Sequence, residues 1–293
     1  MSKGRAMIQS RVFLVGCARS GTTLLQSLLA TQPAIASFPE SRFFLETVQT
    51  ASDRQRVRWG IRPAAIQRQL QTFAEQIGYD QQHWRLPRYS PWLKDYVVAF
   101  VRLLDTATLA QRKTIWLEKT PGHIRYVDLI EYYIPDAKFI HIVRNGADVV
   151  ASLYAVVNDY PTRWRERLTI EQCIDRWRYA VQLTMRYLAK PNHFLVRYES
   201  LVTNPPAIIQ QICRFINTPF QPDLLQAYAQ QADALILPFE AWKAGVKEPI
   251  SNRNGLRFYQ IFDLQQQTYI ARELAAVEIL LERAVQTFAA KNK

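Results

Sequence analysis

Residues 12–29 read VFLVGCARSGTTLLQSLL. Val12–Val15 is a short apolar run of the kind that forms a buried strand. Gly16–Gly21, GCARSG, is a turn enclosed by two glycines. Thr22–Leu29 is a leucine-rich helical pattern that opens on a hydroxyl residue suited to helix capping. A strand that turns through glycines into a helix N-terminus offers an anion both backbone N–H groups and the positive end of the helix dipole. The glycine spacing is that of the Walker phosphate loop, yet Thr22 stands where an NTPase carries lysine. The cation lies inside the loop instead, at Arg19, whose planar fork suits phosphate or sulfate oxygens. Ser20, Thr22 and Thr23 add three hydroxyls to it.

Four more strand candidates follow, at 34–38, 114–117, 138–143 and 193–197. Helical patterns separate them, including Ala147–Val157 and Thr169–Leu188. This alternation predicts an α/β fold of the P-loop, three-layer type: a central, mainly parallel five-stranded sheet with helices on both faces. Open sheets of this kind gather ligands outside the C-terminal ends of their strands. Glu40 and Arg42 follow the second strand there, and Lys119 follows the third. Arg144 follows the fourth, with Ser152 eight residues further along a helix. Tyr198 follows the fifth. His141 lies inside the fourth strand and reads as a packed core residue.

Phe43 to about Arg112 departs from the alternation. It carries helical patterns near 43–51, 64–77 and 91–109. Arginines 54, 56, 58, 62, 68, 85 and 88 are interleaved with Trp59, Trp84, Tyr89 and Trp92. A helical cap with a basic face is the expectation, although such a mixture could also grip a polymer. The tail holds a basic loop, Lys243–Arg257, and a last helix near 265–289. The whole reads as one domain over 1–293.

Thirty-seven Lys and Arg against twenty-five Asp and Glu leave a formal charge of +12, which suits an anionic partner without choosing one. The three cysteines, Cys17, Cys173 and Cys213, fit neither a disulfide framework nor a metal site, and no metal is expected. A reduced, cytoplasmic setting is the simplest expectation. No apolar run reaches eighteen residues, so no transmembrane helix is expected. The polar start, MSKGRAMIQSR, does not read as a signal peptide.

GCARSGTTLL, EKTP, KFIHIVRNGADVVASL and VRYESLVTNP together resemble the sulfotransferases that use 3′-phosphoadenosine 5′-phosphosulfate (PAPS) and release 3′,5′-ADP (PAP). The likeness covers about Val12 to Ile216. It implies that Arg19, Ser20, Gly21, Thr22 and Thr23 form the 5′-phosphosulfate loop, that Arg144 and Ser152 hold the 3′-phosphate, and that Tyr198 lies beside the adenine. Arginine in the loop is more like the protein-tyrosine sulfotransferases and bacterial relatives. In those enzymes a glutamate twenty-one residues later is the general base and an arginine follows it, which places Glu40 and Arg42 in those roles. Lys119 matches a lysine that faces the transferred group, and Arg19 and Lys119 are expected to stabilise the charge that grows on the leaving oxygen and on the sulfuryl oxygens. Lys243 and Lys247 lie in a late basic loop that the resemblance associates with the 3′-phosphate. His123 is the rival base and a candidate on the acceptor side. The acceptor is expected to be a hydroxyl-bearing small molecule, sugar, lipid or peptide.

Two other classes fit parts of this pattern. A P-loop kinase would use the same loop with ATP, but it calls for lysine at position 22 and a carboxylate for magnesium. A non-enzymatic, basic nucleic-acid binder would account for the charge and the aromatic residues, but not for cations gathered at strand ends; nucleic acid is the less expected partner.

Overall fold

The computed structural model describes residues 7–47, 63–79, 90, 92–164, 167–251 and 256–291. Five parallel strands form one sheet: β1 (Ser10–Gly16), β2 (Ile35–Ser37), β3 (Ile115–Lys119), β4 (Ala137–Val143) and β5 (His193–Arg197), in the order β2-β3-β1-β4-β5. β1 therefore sits at the centre, and the polarity changes direction of winding beside it. That is where an open sheet leaves a crevice at its C-terminal edge.

Strand alternation builds the two faces. Phe13 and Val15 of β1 join Trp116 and Phe139 in one core, under the helices Leu93–Ala110, Gly146–Asp159, Ile170–Tyr187 and Leu264–Lys291. Val12 and Leu14 point the other way, with Leu117, Ile140 and Val196, into a second core. That core is covered by the helices Thr22–Ala30 and Pro205–Phe215. Both faces of every central strand are thus buried, which is why these strands read as continuous apolar runs.

The boundaries shift in two informative places. β3 runs on to Lys119, so Glu118 and Lys119 belong to the strand and not to the loop after it. The segment expected to be a cap divides. Its helix Leu93–Ala110 buries Tyr96, Phe100, Leu103 and Leu104 in the same core as the sheet, and so serves as a crossover layer. Phe43 stacks on Phe100 with ring centroids 4.5 Å apart, which ties the chain after β2 to that layer. The helix Pro63–Gln76 adds Ile66, Leu70 and Phe73. Arginines 54, 56, 58, 62, 85 and 88, Trp59, Trp84, Tyr89 and Arg253 lie outside the described residues. No described helix is long and apolar enough to cross a membrane.

Candidate active site

The loop after β1 is built by its glycines. Gly21 caps the helix Thr22–Ala30 in a left-handed conformation, φ +91°, with no side-chain capping bond. The expectation that a hydroxyl caps this helix is corrected: Thr22 is its first residue, and the helix start is left to backbone N–H groups. A β-carbon at Gly21 would collide with the Tyr198 ring, so glycine lets the β5 exit close directly on the loop. The Ser20 hydroxyl is fully buried and has no hydrogen-bond partner among the described residues. A buried polar atom of this kind normally finds a partner. Arg19, also left-handed at φ 73°, extends away from the loop. Its Nε donates to Ser152 Oγ at 3.2 Å and its Nη2 to the Trp242 carbonyl at 3.4 Å. Burial, then the nearby Arg257 and Arg144, draw its pKa down to about 10. Mutually repelling guanidiniums held this close are a site for a multiply charged anion.

Arg144 lies over the Tyr198 ring, 4.3 Å from its centroid. Arg144, Ser152 and Tyr198 therefore meet the loop at one end of the crevice, as the strand-exit argument expected.

The other end centres on Glu40. Its Oε1 accepts from Lys119 Nζ at 2.5 Å and from Lys243 Nζ at 2.9 Å. Lys119 is buried at the end of β3, with its Nζ 3.5 Å from Thr23 Oγ1. Burial alone would raise the Glu40 carboxyl, but the two lysines outweigh it and hold it far below the carboxylate range. Arg42 lines the cleft beside it and pairs with Glu46 at 3.1 Å.

A brace that sequence reading did not find fixes the chain just after Glu40. Glu118 Oε1, buried in β3, accepts from the Ser41 hydroxyl at 2.7 Å, the Ser41 N–H at 3.3 Å and the Thr120 hydroxyl at 2.6 Å. Thr120 Oγ1 accepts from the Arg42 N–H at 3.1 Å, and Gln69 donates to the Ser41 carbonyl at 2.7 Å. The only sequence signal was Glu118 next to Lys119 in EKTP.

Two expected site residues stand elsewhere. His123 is fully buried; its Nδ1 lies 2.9 Å from Glu118 Oε2 and its Nε2 accepts from the Phe44 N–H at 3.2 Å. Both ring nitrogens are committed to the brace and His123 does not line the cleft, because its short helix turns the ring inward under Phe44. Lys247 pairs with Asp233 on an exposed surface and is not among the cleft-lining residues. Lys243, expected near a distant phosphate, is on Glu40.

One cleft of about 1210 Å³ contains both ends, lined by Arg19, Thr22, Thr23, Glu40, Arg144, Ser152, Tyr198 and Lys243. Small-molecule sites typically occupy about 300–1,000 Å³. The cleft therefore has space for a nucleotide-sized molecule and a second reactant.

A family model described as "Sulfotransferase family" matches residues 11–222. The protein-tyrosine sulfotransferase of Drosophila melanogaster is 22% identical over 219 residues, covering 73% of this chain and 39% of that protein. Protein-tyrosine sulfotransferase 1 of Danio rerio is 22% identical over 225 residues, covering 73% of this chain and 55% of that protein. The match thus spans between 39% and 55% of the length of these two curated relatives. Among solved structures, the sulfotransferase domain of the Synechococcus PCC 7002 olefin synthase aligns with a TM-score of 0.56 at 19% identity, covering 94% of this chain and 98% of that one. A mouse sulfotransferase complexed with PAP aligns with a TM-score of 0.50 at 12% identity, covering 93% and 86%. At these identities the structural matches establish the fold alone.

Proposed function

The chain belongs to the sulfotransferase family, and from that membership we propose that it transfers a sulfuryl group from PAPS to a hydroxyl or amine of an acceptor. The observation that carries this reading is one cleft with an anion cradle at one end and Glu40 and Lys243 at the other, where Lys119, itself buried and not part of the lining, donates to Glu40. The residues fit such a donor. The uncapped helix start, the unpartnered Ser20 hydroxyl and the crowded arginines all call for an anion.

Ser20, Gly21, Thr22 and Thr23 would hold the 5′-phosphosulfate end. Arg19, expected at the 5′-phosphosulfate end, donates to Ser152 and so would instead join Arg144 and Ser152 on the second phosphate, with Tyr198 beside the base. When bound, PAPS supplies the sulfuryl group, whose bond to the 5′-phosphate breaks as the acceptor oxygen bonds sulfur, the electron pair remaining on that phosphate. Glu40 takes the proton from the acceptor hydroxyl. Lys119 stabilises the charge that grows on the transferred oxygens. Proton uptake neutralises Glu40, so Lys119 loses its counter-charge as negative charge appears beside it. Arg42, Gln69 and Arg125 line the approach to Glu40 and provide polar and cationic partners for an acceptor.

The test has two stages. Calorimetric titration should show PAP binding more tightly than ATP–magnesium; the reverse order would support a kinase instead. Labelled PAPS incubated with a cell extract should then yield a sulfated acceptor, and Glu40→Gln should lower that transfer by roughly 10²–10⁴ with PAP binding retained. Undiminished transfer by the Gln variant would remove Glu40 as the base.

A further inference from the structure

Lys243 reaches Glu40 from 203 residues away in the chain. It stands in the short helical turn Ala241–Lys247 and is held there on several sides. Its Nζ pairs with Glu240 Oε1, and its backbone N–H donates to the Glu240 carbonyl at 2.9 Å. The other Glu240 oxygen accepts from the Leu237 N–H at 3.1 Å. Only 9% of the Lys243 side chain is exposed. The turn is also tied to the phosphate loop through Arg19 and the Trp242 carbonyl. A lysine fixed in this way is part of the site and not a solvent-swept cation.

We propose that Lys243 is a positioning residue for Glu40: with Lys119 it pins Oε1, keeps the carboxylate ionised, and leaves Oε2 as the oxygen that takes the acceptor's proton. This rests on the reading of Glu40 as the general base. Both lysines donate to the same oxygen, Oε1. That is an unusual concentration of positive charge for one carboxylate oxygen, and it fixes the rotation of the group. The depressed Glu40 pKa is its electrostatic consequence. The arrangement also separates Lys243 from the distant phosphate, since contact with that phosphate would require it to leave two carboxylates.

The experiment reads Glu40 directly. The protein is labelled with carboxyl-¹³C glutamate, the Glu40 signal is assigned by its loss in Glu40→Gln, and its midpoint is followed with pH. Wild-type Glu40 should keep its ionised chemical shift at every pH at which the protein stays folded, Lys243→Met and Lys243→Gln should bring its midpoint up into that range, and Lys243→Arg should remove it again. PAP affinity should change less than threefold, and the acid limb of kcat/KM should move up with the midpoint. An unmoved midpoint overturns the role, and so does a PAP affinity weakened more than threefold, which would assign Lys243 to the donor. A raised midpoint in the Lys243 variants, combined with undiminished transfer by Glu40→Gln, would instead overturn the base reading on which the role depends.

Discussion

A β-carbon on Gly21 would stand 2.4 Å from Cδ2 of Tyr198, so the loop after β1 and the exit of β5 meet at a contact that only glycine permits. Gly21 also holds φ +91°, which L-residues adopt at a cost. Gly21→Ala should therefore lower stability by about 1–3 kcal/mol and displace Tyr198 from the cleft. Denaturant unfolding would measure the first effect. The thermal shift produced by PAP should shrink or vanish, and an unchanged shift would contradict the role of this contact.

Arg144 depends on the same ring. It stacks on Tyr198 and faces the crevice with Arg19 and Ser152. Arg144→Ala removes a charge-assisted contact to an anion, of the order of 1.5–3 kcal/mol, which corresponds to roughly ten- to a hundred-fold weaker PAP binding. Calorimetry on the folded variant would show it. ATP–magnesium binding should change less, because that ligand has no 3′-phosphate.

A buried histidine pair predicts how stability follows pH. His141 Nε2 lies 2.8 Å from His193 Nδ1, and His193 Nε2 lies 3.0 Å from Glu131. Thr184 Oγ1 is 3.3 Å from His141 Nδ1. A neutral relay satisfies every contact: Thr184 donates to His141, His141 to His193, and His193 to Glu131. Protonating His193 at the shared contact would bring two N–H groups face to face. Burial lowers the pKa of both histidines, that of His141 well below its ordinary 6.5. The unfolded chain therefore binds protons that the folded chain refuses. The stability from this pair is fully present above about pH 6.5 and is lost as pH falls from there toward the lowered folded values, at a slope of at most roughly 1.4 kcal/mol per unit for each histidine. Urea midpoints at pH 7.5 and 5.5 should differ accordingly, and equal midpoints would show that the pair is protonated in the fold.

Much of the scaffold was legible in the chain because its signals are local. β1 is flagged by four consecutive apolar residues, and the loop by two glycines at fixed spacing. β5 falls on 193–197 as the pattern predicted. The strand-exit rule brought Arg144, Ser152 and Tyr198 to the loop through topology alone. The chain gave weaker guidance wherever one residue type serves two purposes. His123 follows EKTP and read as a rival to Glu40 as base, whereas its burial under Phe44 and its contact with Glu118 place it in the brace. Glu118 looked like a neighbour of Lys119, yet the alternation of a strand sends adjacent side chains to opposite faces. One of them supports the Glu40 loop, and the other faces Glu40 itself.

Periodicity by itself determined the α/β architecture, and glycine spacing the tight turn after β1, because hydrophobic alternation and backbone conformation act over a few residues; the family resemblance came from four motifs read together. Tertiary structure alone decided which charges meet. Arg19 spans 133 residues to Ser152, and Lys243 spans 203 to Glu40. A lysine or arginine carries its charge in the sequence but not its partner. The partner is chosen by the crossovers that stack β3, β1 and β4, and by the desolvation that makes an unpaired charge costly once it is brought there.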